Sequence, residues 1–288
     1  MSKIVDGKKL AHCLLQDVTN KALYLKNSHN ITAKIVTILV GHNSASEVYV
    51  RAKLEAAQKV GIIVDLVRFD HDITKEQLIK KLKKLNDDCT VTGVLVQFPL
   101  PKHLNVHDIF NTISSVKDID GFGVYNTGLL NHNQSVIEPC TPQGILYVLK
   151  KYCGNLTGKK AVVIGRSIIV GRPVLSMLLN ANCTVTQVHS KTVNIKKECL
   201  DADIIIVAVG IANFLQATWV KRGCFVVDVG INRYEGKLVG DADFSNLLTK
   251  VSYITPVPGG IGPLTVASLM LNAVKLCYIQ NRLDWDTC

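Results

Sequence analysis

A phenol and an ammonium stand four residues apart in the stretch NSASEVYVRAKLEAAQKVG, residues 43–61, as Tyr49 and Lys53. Positions i and i+4 are neighbours on a helix surface, so the two side chains project together. The adjoining row, Val48, Ala52 and Ala56, is small and apolar. Ser44 and Glu47 have the spacing of a capping box, which predicts a helix over 44–60 with that row buried against the domain. Taken alone, Lys53 reads as a surface lysine whose stem lies along apolar neighbours.

Other reactive side chains sit where strands end. Gln97 closes the run GVLVQ and is followed by Pro99 and Pro101. Asp118 and Asp120 share a glycine-bounded loop, KDIDGFG, and Pro258, Gly259, Gly260 and Gly262 lead into the last helix. Each of these, read singly, fits an ordinary turn, and Asp120 fits a turn cap.

A nucleotide site is the chemistry that AVVIGRSIIVGRPVLSMLL, residues 161–179, would serve. A buried strand ends at Gly165, a loop carries Arg166 and Ser167, and Pro173 suits the first turn of a helix. Strand, glycine turn and helix N-terminus form an anion cradle, although the spacing is not GxGxxG. In an NAD site the next strand typically ends in a carboxylate that binds the ribose 2′-OH. Here that strand, CTVTQVHSKT, ends in His189, Ser190 and Lys191. A hydroxyl, an ammonium and the nearby Arg166 suit a 2′-phosphate, and so NADP. Two further strands end in glycine, at Gly210 and at Gly230 before Ile231 and Arg233. Ligands of parallel sheets bind at such carboxyl ends.

The elements that must hold these groups alternate along the chain. Helices of about a dozen residues between short apolar strands predict βαβ units and parallel sheets. The first half reads strand at 33–41, 62–69 and 91–101, with helices at 10–27, 44–60 and 74–86. The second half has continuous Val/Ile strands at 160–165, 183–189, 202–210, 224–231 and 253–258, as in a sheet covered on both faces. The chain is therefore α/β with two domains. Residues 1–138 plus 264–288 form one, and 139–263 form a Rossmann-like doubly wound sheet. The final helix follows the second sheet and packs back on the first domain.

Composition excludes several classes. Of 288 residues, 48% are hydrophobic and 19% charged, a globular balance. No apolar run reaches the 18 or so residues of a membrane span. The start, MSKIVDGKKLAHCLL, lacks a signal-peptide pattern, so a cytoplasmic location is expected and no membrane partner. Nine scattered cysteines without a CxxC pair argue against a disulfide framework and against a zinc site; no metal is expected. The net charge of +10 fits an anionic ligand, or else nucleic acid. Its densest cluster, KKLKKL at 80–85, reads as the solvated face of a helix, and nucleic-acid motifs are not apparent.

The motifs in combination are far more specific than any one of them. The runs VGHNSASEVYVRAKLEAAQKVGI, GVLVQFPLP, KDIDGF, PCTPQG, GRSIIVGRP, HSKT, DVGIN and TPVPGGIGPLT follow in order over nearly the whole chain. Together they resemble the methylenetetrahydrofolate dehydrogenase/cyclohydrolase family, the FolD-type bifunctional enzymes. The resemblance implies a folate cleft between two α/β domains, NADP as cofactor, a homodimer, and tetrahydrofolate derivatives, polyglutamylated forms included, as substrates. It implies two reactions: oxidation of 5,10-methylenetetrahydrofolate to the methenyl cation, and hydration of that cation to 10-formyltetrahydrofolate.

Position by position, the resemblance makes Lys53 the catalytic lysine, Tyr49 the tyrosine beside the folate and Gln97 the glutamine that holds the lysine. Asp120 becomes the aspartate that binds the pterin, with Pro258, Gly259 and Gly260 as further substrate contacts. Gly165, Arg166, Ser167, Ser190 and Ile231 become cofactor contacts. A lysine desolvated in a cleft has its ammonium disfavoured, which eases proton exchange near neutral pH. Gln97 can orient that amine without adding charge. The chain departs from the commonest family pattern at Gly123, Val188, Ala212 and Leu264, and Ala212 puts the cofactor-side loop most in question. Rival readings are a two-domain dehydrogenase acting on an amino or keto acid, and a nucleotide-binding regulatory or nucleic-acid-binding protein.

Overall fold

The computed structural model describes residues 3–287. The side chains of Ser44, Ala45 and Thr287 lie outside the description, and with Ser44 goes half of the expected capping box. In chain order the elements are α1 (Gly7–His29), β1 (Lys34–Val40), α2 (Ser44–Val60), β2 (Ile63–Phe69), α3 (Lys75–Asp87) and β3 (Gly93–Val96). Then come α4 (Val106–Thr112), α5 (Val124–Asn131), α6 (Cys140–Cys153), β4 (Lys160–Ile164), α7 (Gly171–Asn180), β5 (Thr184–Val188) and α8 (Ile195–Cys199). The chain closes with β6 (Ile204–Val207), β7 (Phe225–Asp228), β8 (Asn232–Tyr234), β9 (Lys237–Val239), α9 (Phe244–Leu247), β10 (Tyr253–Ile254) and α10 (Ile261–Gln280).

The chain divides into two compact units, His12–Cys140 with Val266–Cys288, and Met1–Ala11 with Thr141–Thr265. The first contains a parallel sheet in the order β2-β1-β3. Helix α3 covers it with Leu78, Leu82 and Leu85, each buried. Each such leucine contributes roughly 2 kcal/mol of burial. A complete capping box between Thr74 and Gln77 starts that helix, and Lys80, Lys83 and Lys84 face water. The lysine run is thus the solvated face of an amphipathic helix. Helix α10 docks on this unit: Tyr278 Oη donates to the Lys21 carbonyl, and Gln280 Nε2 donates to the Thr92 and Val116 carbonyls. By length and composition α10 could cross a membrane, a segment the run-length criterion passes over, but it is mostly buried as a core helix.

The second unit is a five-stranded sheet in the order β10-β7-β6-β4-β5, with every pairing parallel. Strands β6 and β7 are buried along their whole length, as a sheet with both faces covered requires. Residues 3–5 pair with β10, where Val5 N–H donates to the Ile254 carbonyl and Ile254 N–H to that of Lys3, each at 2.9 Å. The chain start therefore groups with this unit, whereas the sequence alone places it with the first. Strands β8 and β9 form a hairpin whose two turn residues, Glu235 and Gly236, have φ of 48° and 76°. Positive φ at both central positions is what a twist-matched two-residue turn demands. The eight described cysteines are free thiols, five of them buried.

Candidate active site

Helix α2 is preceded by Asn43, whose Oδ1 accepts the Ser46 N–H at 3.1 Å. Its buried stripe differs from the expected one. Val48 is 65% exposed and Ala52 only half-buried, while Ser46, Val50, Ala57 and Val60 are buried along with Ala56. The positions 46, 50, 53, 57 and 60 follow the 4-3-4-3 spacing of a helix seam. Lys53 therefore stands within the buried stripe, not beside it. Tyr49, one turn earlier, is partly buried.

The residue just after strand β3 is the partner of that lysine. Gln97 N–H extends the ladder by donating to the Ile38 carbonyl at 2.9 Å, just where the strand meets the cis Phe98–Pro99 peptide. Lys53 Nζ donates to Gln97 Oε1 at 2.8 Å, and Gln97 Nε2 donates to the Phe98 carbonyl at 2.8 Å. Ser46 Oγ also donates to that carbonyl, at 3.1 Å, so α2 and the strand end are tied at two places.

The loop after Lys117 runs beside β3, with Asp118 in a bridge to Val94. The two aspartates there divide the work. Asp118, buried, accepts the Gly121 N–H on Oδ1, and the Gly123 N–H and Asn126 Nδ2 on Oδ2. Turn and α5 start are thus held by Asp118, which releases Asp120 from the capping role that fits it in isolation. Cys140 Sγ lies 3.5 Å from Asp120 Oδ1. Asn272 on α10 donates to the Ile119 and Glu138 carbonyls, which ties the Asp120 loop and the segment leading to Cys140 to one helix.

Burial sets the protonation chemistry. Desolvation lowers the pKa of Lys53 from its ordinary value, with the Asp120 charge opposing. Desolvation raises Asp120 to about 6, with the Lys53 charge opposing. Burial likewise raises the Tyr49 phenol. An amine closer to neutrality, beside a carboxylate closer to its proton, can exchange protons with a bound substrate near pH 7. Tyr49, Lys53, Gln97 and Asp120 all belong to the first unit.

In the second unit the GRSIIVG spacing has a steric cause. Gly165 has φ of 119°, and a Cβ on it would overlap the Ala208 carbonyl oxygen; one on Gly171 would overlap the Gly165 carbonyl. The backbone is thus closed tightly around the turn at the head of α7. Ser167 Oγ accepts the Val170 and Gly171 N–H groups at 3.2 and 3.3 Å, so its hydroxyl serves the helix start. Arg166 Nη1 lies 3.4 Å from His189 Nε2. That contact brings the Arg166 guanidinium to the end of β5, where Ser190 and Lys191 are exposed. The glycine cradle, the basic groups and the lack of a carboxylate in HSKT fit a dinucleotide with a 2′-phosphate. Ile231, after β7, is 50% exposed. Pro258, Gly259 and Gly260 also fall in this unit, with φ of 101° at Gly259.

The departures from the family pattern have local accounts. A Cβ on Gly123 would sit 3.0 Å from Asp118 Oδ2, so glycine gives that carboxylate room. Leu264 is buried against Gly144, and Val188 is buried at the end of β5. Ala212 lies in a turn, next to Asn213 with φ of 54°. Sequence reasoning missed Ser46, Cys140, Asn272 and the Asp118 cap. The stripe spacing around Lys53 was the signal available for Ser46; the cysteine stood unremarked within PCTPQG.

Two models of one family match the chain: the catalytic domain of tetrahydrofolate dehydrogenase/cyclohydrolase over residues 5–120, and its NAD(P)-binding domain over 139–281. A protein named bifunctional protein FolD from a Wolbachia strain of Drosophila simulans is 46% identical, over 99% of this chain and 98% of its own. The crystal structure of the bifunctional enzyme FolD, methylenetetrahydrofolate dehydrogenase/cyclohydrolase, from Campylobacter jejuni is 45% identical. It has a TM-score of 0.94 and covers 98% of this chain and 100% of its own. A FolD from Trypanosoma brucei, solved with NADP cofactor and inhibitor, is 31% identical with a TM-score of 0.93, covering 98% and 99%.

Proposed function

The chain belongs to the tetrahydrofolate dehydrogenase/cyclohydrolase family, and from that premise we propose which residues carry its two reactions. It is a bifunctional folate one-carbon enzyme: it oxidises 5,10-methylenetetrahydrofolate to 5,10-methenyltetrahydrofolate with NADP, then hydrolyses that product to 10-formyltetrahydrofolate.

Asp120 accepts paired hydrogen bonds from the pterin amino group and ring N–H, and Tyr49 lies against the folate. When bound, NADP takes up the hydride that leaves the methylene carbon. The substrate is then a cation shared between two folate nitrogens. A neutral Lys53 avoids like-charge repulsion with it, and burial favours that neutral form. Water attacks the carbon, Lys53 accepts a proton from it, and a proton moves to the nitrogen released as the ring opens. Gln97 holds the amine in place throughout, and its neutral amide leaves the lysine's charge state to the environment. The observation that carries the assignment is the 2.8 Å bond between Lys53 Nζ and Gln97 Oε1 at the end of β3.

On the cofactor side, Gly165, Arg166 and Ser167 form the phosphate turn, Ser190 with Lys191 receives the 2′-phosphate, and Ile231 contacts the nicotinamide half. Pro258, Gly259 and Gly260 line the folate site. The enzyme acts as a cytoplasmic homodimer. Support for self-association is the β2 edge of the three-stranded sheet, where Ile63 is 50% exposed, together with Val48 on α2, 65% exposed. The net charge of +10 suits polyanionic folates and NADP, and we assign it no nucleic-acid or membrane role. Incubation with methylenetetrahydrofolate and NADP+, followed at the methenyl absorbance, tests the overall function. A transient methenyl signal that decays to formyl product is expected; no NADP+-dependent signal would contradict it.

A further inference from the structure

Two buried carboxylates lie behind the strand ends of the second unit, and no role in the two reactions uses them. Asp241 is fully buried. Its Oδ2 accepts the Val209 and Gly210 N–H groups at 2.6 and 2.9 Å, and its Oδ1 accepts the Ile211 N–H at 3.0 Å and Asn232 Nδ2 at 2.8 Å. One side chain thus gathers three successive amides of the loop after β6 and the side chain that ends the loop after β7. Asp228, at the end of β7, holds Asp241 in turn. Its Oδ1 accepts the Gly230 and Asp241 N–H groups and its Oδ2 the Ala242 N–H, all at 2.9 Å.

The glycines nearby exist for these carboxylates. A Cβ on Gly230 would overlap the Asp241 carboxylate, and one on Gly240 would overlap that of Asp228. The β8–β9 hairpin is what returns the chain so that Gly240 and Asp241 arrive beside β7. While Asp241 sits at zero exposure, Gly210, Ile211 and Ile231 on the loops it holds are exposed.

We propose that Asp241 is a positioning residue for the dinucleotide: it clamps the 209–211 and 230–232 loops from behind so that their outer surface is preformed for the cofactor. The inference rests on the proposed assignment of that surface to NADP. Three successive N–H groups converging on one carboxylate form a nest that suits an anionic acceptor with two oxygens. An amide in its place would turn an NH2 toward N–H donors, and the loops would separate. The clamp also fixes the backbone just before Ala212 by hydrogen bonds.

The test compares Asp241→Asn, Asn232→Ala and Arg166→Ala in the full chain. The readouts are the NADPH dissociation constant by fluorescence, and cyclohydrolase turnover on methenyltetrahydrofolate, which needs no cofactor. Asp241→Asn should weaken NADPH at least tenfold and Asn232→Ala about threefold, with cyclohydrolase turnover within twofold of wild type in both. If Arg166→Ala weakens NADPH while both clamp variants bind within 1.5-fold of wild type, the clamp is wrong and the cofactor surface stands. If Arg166→Ala changes nothing, the surface assignment itself fails. Loss of cyclohydrolase turnover in step with NADPH binding in the clamp variants would make Asp241 merely structural and overturn the proposal. Should Asp241→Asn not fold, Asn232→Ala decides by the same criteria.

Discussion

Gln97 receives the Lys53 amine on Oε1 at 2.8 Å and turns its amide nitrogen onto the Phe98 carbonyl, also at 2.8 Å. The acceptor end of the amide must face the lysine, because the donor end is committed to the backbone. The lysine gains an orienting partner without a countercharge. Gln97→Glu should therefore hold Lys53 as ammonium and set a carboxylate against the Phe98 carbonyl. Cyclohydrolase turnover at pH 7 should fall at least tenfold and recover in part as pH rises. A pH–rate profile unchanged from wild type would refute the neutral-partner account.

Asp120 titrates at about 6 because burial disfavours its charge. Folate binding by an ionised carboxylate should then weaken as pH falls below about 6. The Lys53 charge lowers that value, so in Lys53→Met the acid limb of folate binding should move to higher pH. Asp120→Ala should raise the folate KM at least tenfold and leave the NADP+ KM unchanged. An unshifted acid limb in the lysine variant would separate the two residues electrostatically.

The same shift has a consequence for stability. The folded-state pKa of Asp120 lies above the ordinary 3.8, so the folded chain binds the proton more tightly. Its contribution to stability is full below about pH 4 and is lost as pH rises through about 6. Asp120→Asn should accordingly melt higher than wild type at pH 7, with the gain gone by about pH 4. Melting curves at the two pH values check the sign.

Much of this architecture was legible in the sequence because its signals were local. The Val/Ile runs of β6 and β7 and the 3.6-residue period of α3 each mark one element. The buried face of α2 was not legible in the same way. Val48, Ala52 and Ala56 form a tidy row, but the side chains that pack are set by what lies opposite the helix, and a lysine in the stripe hides its period. Asp118 and Asp120 were both visible in KDIDG. Which one caps and which one faces Lys53 depends on the pairing of residue 118 with Val94, a contact between distant segments. The Asp228–Asp241 pair was hidden for the same reason, since their 13-residue separation closes only through a hairpin.

Cofactor choice follows from Arg166, Ser190 and Lys191. NADP+ should be preferred over NAD+ at least tenfold in kcat/KM, since one charge-assisted hydrogen bond contributes about 1.5–3 kcal/mol. Replacing Arg166 with Ala and Ser190 with Asp should erase or reverse the preference. Steady-state kinetics with both cofactors decide it, and an undiminished NADP+ preference in the double variant would contradict the assignment.

Two glycines should respond oppositely to alanine. At Gly171 the added Cβ meets backbone on the turn at Gly165, and the cost should be about 2–4 kcal/mol. At Gly128, inside α5, the Cβ meets nothing within 4 Å, and alanine should stabilise by about 0.5–1 kcal/mol. Denaturant unfolding of the two variants measures both.

Lys53→Met tests the central claim most directly. Methionine keeps the length and apolar bulk of the stem within the α2 stripe while removing the amine. Cyclohydrolase turnover on methenyltetrahydrofolate, measured beside the folate dissociation constant of the same variant, separates proton transfer from binding. The account predicts turnover reduced at least a hundredfold with folate affinity within about threefold of wild type, a loss of ~3 kcal/mol in transition-state stabilisation. Turnover within twofold of wild type would contradict it.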